Sequence, residues 1–319
     1  MADHDGAGAV RPLTLAWVGR HLDMGERVVK TEALHGGITA EMRRLTVGGR
    51  DGGTRDLVLR TFVDVEYADD WLNRERCAVA LLAGAGVPAP GLVAVDRKAV
   101  HCEYPSLLMT HLAGRTVLED EGVEARVPLL ARELVAIHAV RPAPAERPPG
   151  FVTLTTADTV VTPKGADAAA WAAAVDVIRE PAPAYEGRFL HRDFHPGNVL
   201  LDVPSPSPTA LQITGVVDWA GASWGPADLD VARCCTNLAL LHGPAWGVRF
   251  AGAYEKAGGV LAAAASDRLY WQVRDALAVS EEVQQVSLPW RGAGRTELTA
   301  RIVEERLDAY VATLMDASG

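Results

Sequence analysis

The chain of 319 residues is longer than one domain of about 100–200 residues and too short for three independent cores. Hydrophobic residues make up 49% of it and charged residues 23%, a balance typical of soluble globular proteins. The net charge of −10 argues against nucleic acid as the main partner, because binding a phosphate backbone requires a basic surface. A cationic substrate would suit this charge, although solubility alone also explains it.

The sequence shows no signal for export or membrane insertion. Its start, MADHDGAGAVRP, is acidic where a secretory signal is basic, and no apolar run follows it. The most apolar stretches, such as Val79–Leu82, are far shorter than the roughly 18 residues of a membrane helix. We therefore expect a soluble cytoplasmic protein without membrane contact. The four cysteines lack C-x-x-C spacing and are expected to be reduced core residues: Cys77, Cys102, Cys234 and Cys235.

The first third of the chain predicts a small antiparallel sheet with one helix. Alternating and β-branched segments separated by glycine-bearing turns are predicted as strands: Val28–Leu34, Ile38–Val47, Leu57–Phe62, Leu92–Val95 and Leu107–His111. A helix is predicted at Tyr67–Ala83. We expect residues 1–112 to form this first lobe, with residues 1–11 mobile.

The rest of the chain, residues 113–319, is predicted to form a larger and mostly helical second lobe. Alanine-rich stretches with helical periodicity are predicted as helices: Val127–Val140, Ala166–Ile178, Asp228–Leu241, Arg268–Val286 and Glu297–Leu314. The proline-rich segments Arg141–Gly150 and Val203–Pro208 are predicted loops, because proline lacks a backbone donor. The fold class is therefore α+β with two lobes.

The segment Leu190–Leu201, with the sequence LHRDFHPGNVLL, places polar side chains between two apolar flanks: His191, Asp193, His195 and Asn198. Leu200–Leu201 and Ile213–Val217 are predicted as short strands joined by the Pro/Ser-rich loop Val203–Gln212. Such a pair of strands predicts an antiparallel hairpin directly after the polar residues.

The hairpin predicts a metal site at its open end. Positions 198 and 218 are equidistant from Pro208, so a symmetric hairpin brings Asn198 and Asp218 together. Both supply hard oxygen ligands, and Mg²⁺ typically takes only one or two carboxylates while keeping water and substrate phosphates. Asp193 precedes Asn198 by five residues and is then a candidate base near the metal.

This pattern of H-x-D, Asn five residues after the Asp, and an apolar strand pair ending in Asp-Trp resembles the catalytic loop of the aminoglycoside phosphotransferase family within the protein-kinase-like fold. The resemblance implies a bilobal kinase-like fold with nucleotide between the lobes, and transfer of a γ-phosphate from ATP or GTP. It gives Asp193 the role of base, and Asn198 and Asp218 the roles of magnesium ligands. A polar loop with accidental spacing is the alternative.

The same resemblance covers residues around this loop. His191 is expected to support the loop, and His195 is expected to be a hydrogen-bonded loop residue rather than a direct participant. After Asp218 the spacing of Gly225–Pro226 and Asp230 is similar to the small-molecule branch of the family, in which the later Asp stabilises the catalytic loop. This spacing leaves no room for a protein-kinase activation segment.

The predicted helix Tyr67–Ala83 places Glu75 at the centre of its apolar stripe. A buried carboxylate requires a cation, and kinase-like folds pair a strand cation with a helix Glu at this place, which implies Arg60. Most kinases have lysine there, so the contacts with the α- and β-phosphates would differ in detail. A solvated salt bridge is the alternative reading of this pair.

Two further segments are expected to contact nucleotide. The turn with Gly36 and Gly37 could cover the phosphates, although an ordinary hairpin turn explains two glycines nearly as well. An apolar strand leads into residues that resemble the linker between lobes, whose backbone receives the purine: Met109, Thr110, His111 and Leu112.

The acceptor side gives a weaker hypothesis. Trp271, Asp275 and Glu282 share one face of the predicted helix Arg268–Val286, and two carboxylates beside an aromatic ring could receive a cationic sugar. A solvated acidic face is the competing interpretation.

We expect the acceptor to be an antibiotic of aminoglycoside, macrolide or nucleoside type, with antibiotic resistance as the outcome. The alternatives are a metabolic kinase for choline, homoserine or a sugar, and a nucleotide-binding pseudokinase. The presence of Asp193, Asn198 and Asp218 argues against the pseudokinase. The protein is expected to be a monomer or a homodimer.

Overall fold

A five-stranded antiparallel sheet dominates the first part of the chain in the computed structural model, which describes residues 10–34, 40–153, 155–202 and 211–317. The strand order is β1-β2-β3-β5-β4. The strands are β1 (Arg27–Leu34), β2 (Glu41–Gly48), β3 (Thr54–Thr61), β4 (Leu92–Asp96) and β5 (Ser106–Thr110). The predicted sheet is confirmed, and the predicted start of β2 at Ile38 lies outside the described residues.

The central strand β3 is buried on both faces, because a helix covers each of them. Leu57 and Leu59 pack with Trp17 and Val18 of helix α1 (Pro12–Gly19), while Val58 on the opposite face belongs to the cluster that contains Leu72 of helix α2 (Ala68–Leu82). Successive side chains of a strand point to opposite faces, so Arg60 lies on the same face as Val58. β3 therefore directs Arg60 towards α2.

Helix α1 was not predicted. Of the residues 1–11 that were expected to be mobile, residues 1–9 lie outside the described residues, whereas Val10 is buried against the first lobe. Almost all of its residues are apolar, so the sequence lacks the one-sided periodicity that marks a surface helix. The Glu103 carboxylate accepts hydrogen bonds from the amides of Leu13 and Thr14 at the start of α1, and Arg11 forms an ion pair of 2.8 Å with Glu41. The described residues of the first lobe thus contain two helices instead of one.

The second part of the chain is mainly helical. Its helices are α3 (Val123–Ala139), α4 (Ala168–Arg179), α5 (Ala227–His242), α6 (Pro244–Lys256), α7 (Ala265–Ala278), α8 (Val283–Gly292) and α9 (Ala300–Asp316). Helix α5 is buried along most of its length and packs against α6, α7 and α9. Because α5 is buried on nearly all sides, it is the central helix of the second lobe.

Two pairs of short antiparallel strands flank the polar loop. Strands β6 (Arg188–Leu190) and β9 (Ser223–Gly225) pair antiparallel, as do β7 (Val199–Asp202) and β8 (Gln212–Val216). Val199 pairs with Val216, and a bulge separates Leu200 from Leu201. The predicted hairpin is confirmed, but the predicted pairing register is wrong by one position. Symmetry about residue 208 would pair Val199 with Val217, whereas Val199 pairs with Val216.

The predicted single helix Arg268–Val286 is also wrong. Helix α7 ends at Ala278, a 3-10 turn follows at Val279–Glu281, and α8 begins at Val283. Ser280 explains part of the break, because its hydroxyl is buried and donates to the carbonyl of Leu277. Helices α6 and α8 were not predicted. The α+β kinase-like class is confirmed, while the boundary at residues 112 and 113 stays a prediction.

A membrane-crossing helix is not found among the described residues, since none of their helices is both long and apolar enough.

Candidate active site

The polar loop between β6 and β7 is anchored by one buried carboxylate on α5. Asp230 is fully buried, and its two oxygens accept hydrogen bonds of 2.7 Å from the backbone amides of His191 and Arg192. His138 of α3 places Nε2 3.2 Å from the same carboxylate. Burial raises the pKa of Asp230, but the hydrogen bond and charge of His138 outweigh it and lower the pKa below its usual value.

This anchor stabilises an uncommon backbone conformation. Arg192 has φ of 73°, in the left-handed region that residues other than glycine rarely adopt. Such a conformation costs on the order of 1–3 kcal/mol unless the surroundings enforce it. Because Asp230 accepts hydrogen bonds from both His191 and Arg192, it holds the loop in the bend that presents Asp193.

His191 is an uncharged side chain that connects the loop to the residue directly after β8. Its Nε2 donates to the carbonyl of Val217 at 3.0 Å, and its Nδ1 accepts a hydrogen bond from the amide of Asp193 at 3.2 Å. This pair of contacts fixes the tautomer, and burial lowers the pKa of His191 so that the ring stays uncharged. The ring packs on Trp219 with centroids 4.3 Å apart. The expectation that His191 supports the loop agrees with this geometry.

The Asp193 carboxylate lies at the centre of the site and has partners on both oxygens. Arg233 of α5 donates to Oδ1 from Nε at 2.9 Å, and Asn198 donates to Oδ2 from Nδ2 at 3.0 Å. His195 places Nε2 3.5 Å from Oδ2. Burial raises the pKa of Asp193, but the charges of Arg233 and His195 lower it well below its usual value. About a third of the side chain, 34%, remains exposed, so this ionised carboxylate is accessible.

Asn198 and Asp218 offer the oxygens that a magnesium ion would require. Asn198 uses Nδ2 to donate to both the carbonyl and the carboxylate of Asp193, which leaves Oδ1 without a donor among the described residues. The Asn198 carbonyl accepts from the amide of Val217, the residue before Asp218. An amide oxygen and a carboxylate are hard donors, so this set fits Mg²⁺. Within the described ranges, no cluster of three His, Cys, Asp or Glu side chains is arranged for a metal.

Arg60 joins the first lobe to this site. Its Nη1 donates to both oxygens of Glu75, at 3.1 and 3.0 Å, and to Oδ1 of Asp218 at 2.8 Å. Arg60 and Glu75 are almost fully buried, whereas 41% of the Asp218 side chain is exposed. Burial lowers the pKa of Arg60, but the charges of Glu75 and Asp218 more than compensate and raise it. The predicted Arg60–Glu75 pair is therefore present, and its solvated alternative is wrong.

Asp218 adopts a left-handed conformation with φ of 64°. It follows β8 and precedes a 3-10 turn at Trp219–Gly221, where Trp219 donates from its indole to the carbonyl of Val216. This turn reverses the chain immediately after the strand, so the Asp218 side chain reaches Arg60 while the backbone stays beside Asn198.

The predicted linker connects the sheet to the β7–β8 hairpin. Thr110 and His111 have their amides bonded to Gly91 and Asp56, respectively. Leu112 contacts Gly215 of β8 so closely that a Cβ at Gly215 would lie 2.8 Å from Leu112 Cδ1. Met109 is buried in the sheet core, where it pairs with Val58 of β3 and Leu92 of β4. The predicted phosphate turn with Gly36 and Gly37 lies outside the described residues.

The proposed acceptor face is corrected by the structure. Trp271 is only 1% exposed and packs edge-to-face against Phe151, with ring centroids 5.6 Å apart. Asp275 is buried, and its Oδ2 has no hydrogen-bond partner among the described residues. Glu282 is exposed but lies beyond the end of α7, in the break before α8. Because the helix ends early, the three side chains do not share one accessible helix face.

Arg233 and His138 are site residues that the sequence analysis missed. Arg233 lies three positions after Asp230, so both project from the same side of α5 towards the loop. This i, i+3 spacing after a recognised Asp was a usable signal for Arg233. His138 comes from α3, far away in sequence, and no local pattern connects it to Asp230.

Comparison with family models identifies the chain. A model described as the phosphotransferase enzyme family matches residues 30–271, which is more than half of the sequence. The chain belongs to the phosphotransferase enzyme family. The predicted relationship and the prediction of a phosphotransferase with an alcohol group as acceptor are thereby confirmed. A comparison with curated proteins finds no match.

Solved structures of the same fold resemble this phosphotransferase over nearly its whole length. A Ralstonia eutropha JMP134 protein named as a candidate aminoglycoside phosphotransferase has 14% identity and a TM-score of 0.63, and the match covers 95% of this chain and 96% of that one. Aminoglycoside phosphotransferase APH(4)-Ia has 19% identity, a TM-score of 0.60 and coverage of 94% and 97%. Spectinomycin phosphotransferase APH(9)-Ia has 11% identity, a TM-score of 0.59 and coverage of 91% and 94%. These similarities establish a shared fold.

Removing the Asp230 anchor should destabilise the phosphotransferase strongly. Asp230→Ala leaves two backbone amides and His138 without their acceptor in a buried site, and we expect a loss of about 3–5 kcal/mol in the free energy of unfolding. Chemical denaturation measures this loss, with Asp176→Ala on the exposed side of α4 as the control. A loss below about 1 kcal/mol would contradict the anchoring role.

The neutral state of His191 predicts a dependence of stability on pH. Its pKa is lower in the folded than in the unfolded protein, so acid protonates the unfolded chain first and stability falls as pH drops below the usual value of 6.5. We expect the free energy of unfolding to decrease more between pH 7.5 and 5.5 in the wild type than in His191→Gln. Equal decreases in both proteins would show that His191 does not contribute to this dependence.

Proposed function

We propose that this phosphotransferase transfers the γ-phosphate of ATP or GTP to a hydroxyl group of an antibiotic, and so confers resistance. The observation that supports the proposal most directly is the accessible, ionised Asp193 carboxylate beside the free oxygen of Asn198. A carboxylate in this state can orient an acceptor hydroxyl and accept its proton.

The proposed reaction depends mainly on position and charge. Asp193 would hold the acceptor hydroxyl in line with the terminal phosphate, while Asn198 and Asp218 would hold Mg²⁺. When bound, Mg²⁺ supplies positive charge to the β- and γ-phosphate oxygens. Catalysis in such a site comes from fixed charges and orientation, and a general base contributes roughly 10²–10⁴-fold.

Arg60 is proposed to act on the nucleotide side. One of its guanidinium nitrogens is shared between Glu75 and Asp218, so the side chain is held in place before any phosphate binds. A guanidinium offers further N–H groups in a fixed plane, which allows it to contact phosphate oxygens without leaving Glu75. Backbone groups of the linker at Met109–Leu112 would receive the purine.

The antibiotic class is proposed from two observations. A thermostable mutant of the structural neighbour APH(4)-Ia was solved with AMP-PNP and hygromycin B, and APH(9)-Ia was solved with ADP and spectinomycin. The net charge of −10 also suits a cationic acceptor. An aminoglycoside is therefore the first class to test, followed by macrolides and nucleoside antibiotics.

We expect magnesium-dependent transfer of labelled γ-phosphate to at least one compound in a panel of these antibiotics. Asp193→Asn should bind nucleotide like the wild type but lose transfer by about 10²–10⁴-fold, because the carboxamide cannot accept the proton. Asp176→Asn, an exposed change on α4, serves as the control. Calorimetry of nucleotide binding and phosphate-transfer rates distinguish these results.

Wild-type transfer rates in Asp193→Asn would overturn the proposed role of Asp193. Nucleotide binding without transfer to any antibiotic would contradict the acceptor class, and the panel would then be extended to choline, homoserine and sugars.

A further inference from the structure

We propose that Arg44 of β2 stacks on the purine ring of the donor nucleotide, and that Asp56 of β3 is the positioning residue that holds its guanidinium there. This inference deepens the proposed function and rests on it for one point, that the purine lies beside the linker at Met109–Leu112. It adds a charged side chain of the sheet to the backbone groups that would receive the base.

Arg44 lies on the face of the sheet that is turned towards the second lobe. Arg60 marks this face, because it reaches Asp218 at 2.8 Å, and Val58 shares it. Arg44 pairs with Val58 across β2 and β3, and residues paired in this way project from the same face. The next residue, Leu45, is buried on the opposite face, against α1. Arg44 therefore points into the space where the nucleotide is proposed to bind.

Arg44 also lies at the linker end of this face. Val58 pairs with Arg44 on one side and with Met109 on the other, so the three residues form one row across the sheet. Arg60 comes two residues after Val58 on β3, and Asp56 comes two residues before it. Arg60 and Asp56 are therefore separated by roughly 13 Å along the strand. With the phosphates at Arg60, the base lies towards Asp56, in the row that contains Arg44.

Asp56 anchors the guanidinium of Arg44. Its carboxylate accepts a hydrogen bond from Nη2 of Arg44 and another of 2.8 Å from the hydroxyl of Thr46. Its backbone carbonyl accepts a hydrogen bond of 3.2 Å from the amide of His111 in the linker. Asp56 therefore joins Arg44 to the linker, and its charge holds the guanidinium there when a triphosphate is bound at Arg60.

The neighbouring charges leave Arg44 paired with Asp56. Glu32 is the cross-strand partner of Arg44 on β1, but the Glu32 carboxylate is 2.8 Å from the ammonium of Lys30. Burial and the charge of Arg44 both lower the pKa of His111, so its imidazole stays uncharged at neutral pH. A positive charge beside the linker therefore comes from Arg44.

This arrangement suits the face of a nucleobase. A guanidinium is planar and stacks on aromatic rings, and bases bound by proteins stack on arginine in the same way. The side chain of Arg44 is 39% exposed, and the adjacent Val58 and Met109 are buried apolar residues. The row thus offers a cation beside an apolar surface. Because stacking uses the ring face and not its hydrogen-bonding edge, Arg44 favours purines without choosing adenine over guanine.

A surface ion pair without a ligand is the alternative interpretation. Against it, Nε of Arg44 is buried and has no hydrogen-bond partner among the described residues. An unpaired buried donor costs stability, and a partly exposed ion pair contributes little. The stability of the sheet alone therefore does not account for an arginine at this position.

The test is calorimetric titration of the full chain with three ligands in the presence of Mg²⁺: adenosine, ATP and inorganic tripolyphosphate. We expect Arg44→Ala to weaken the binding of adenosine and ATP by about 10-fold, because the base loses its stacking partner. Binding of tripolyphosphate, which has no base, should stay unchanged and so show that the variant is folded. Guanosine should lose as much affinity as adenosine.

Three further variants separate the contributions. Arg44→Lys keeps the charge but not the plane, so it should recover only part of the affinity for adenosine. Asp56→Asn should weaken adenosine binding as well, because Arg44 loses its anchor. Arg55→Ala is the matched control, since Arg55 forms an ion pair of 2.7 Å with Glu26, its side chain is 40% exposed, and alternation along β3 places it on the opposite face. This control should bind all ligands like the wild type.

Unchanged adenosine binding in Arg44→Ala would overturn the inference. An equal loss of affinity for tripolyphosphate, with the fold intact by circular dichroism, would overturn it too, because Arg44 would then contact the phosphates. If the wild type binds neither adenosine nor ATP, the proposed function itself is contradicted, and with it the place of the purine on which the inference rests.

Discussion

The site of this phosphotransferase depends on the buried carboxylate of Asp230. A fully buried charge is costly unless donors surround it, and here two backbone amides and His138 supply them. The same contacts bend the loop at Arg192 and so place Asp193 between α5 and β7. Because Asp230 belongs to the most deeply buried helix, the position of the loop follows from the packing of the whole second lobe.

The nucleotide side depends on a second buried charge, which the sheet provides. The alternation of side chains along β3 directs Arg60 to the face that α2 covers, and the helical period places Glu75 opposite it. Asp218 reaches the same guanidinium from the β7–β8 hairpin. Arg60 therefore connects the sheet, α2 and the hairpin through a single side chain, so a shift of the sheet relative to the hairpin would disturb the proposed magnesium ligands.

The features that local chemistry determines could be predicted from the sequence. The H-x-D and Asn spacing and the five sheet strands follow from short-range patterns. The helical period placed Glu75, and the resemblance to kinase-like folds implied Arg60 as its partner. The structure contains all of them. The hairpin register could not be predicted, because a bulge follows Leu200 at the point where Leu201 exchanges backbone hydrogen bonds with Arg115, a residue far away in sequence.

Contacts between segments that lie far apart in the sequence could not be predicted either. The pairing of His138 with Asp230 joins α3 to α5, and the burial of Trp271 depends on Phe151 from the segment before α4. Helix α1 lacks amphipathic periodicity since it is apolar on nearly all sides. The break after α7 occurs where the buried Ser280 hydroxyl donates to the carbonyl of Leu277. The apolar residues keep a helical period across this break, so the sequence predicted one continuous helix.

The central claim is that Asp218, held by Arg60, and Asn198, held by Asp193, form one magnesium–nucleotide site. Calorimetric titration of ATP with and without Mg²⁺ into the wild type, Asp218→Ala and the control Asp176→Ala tests it most directly. We predict that Mg²⁺ strengthens nucleotide binding to the wild type and to the control, and that this gain is lost in Asp218→Ala. An equal gain from Mg²⁺ in Asp218→Ala would contradict the account.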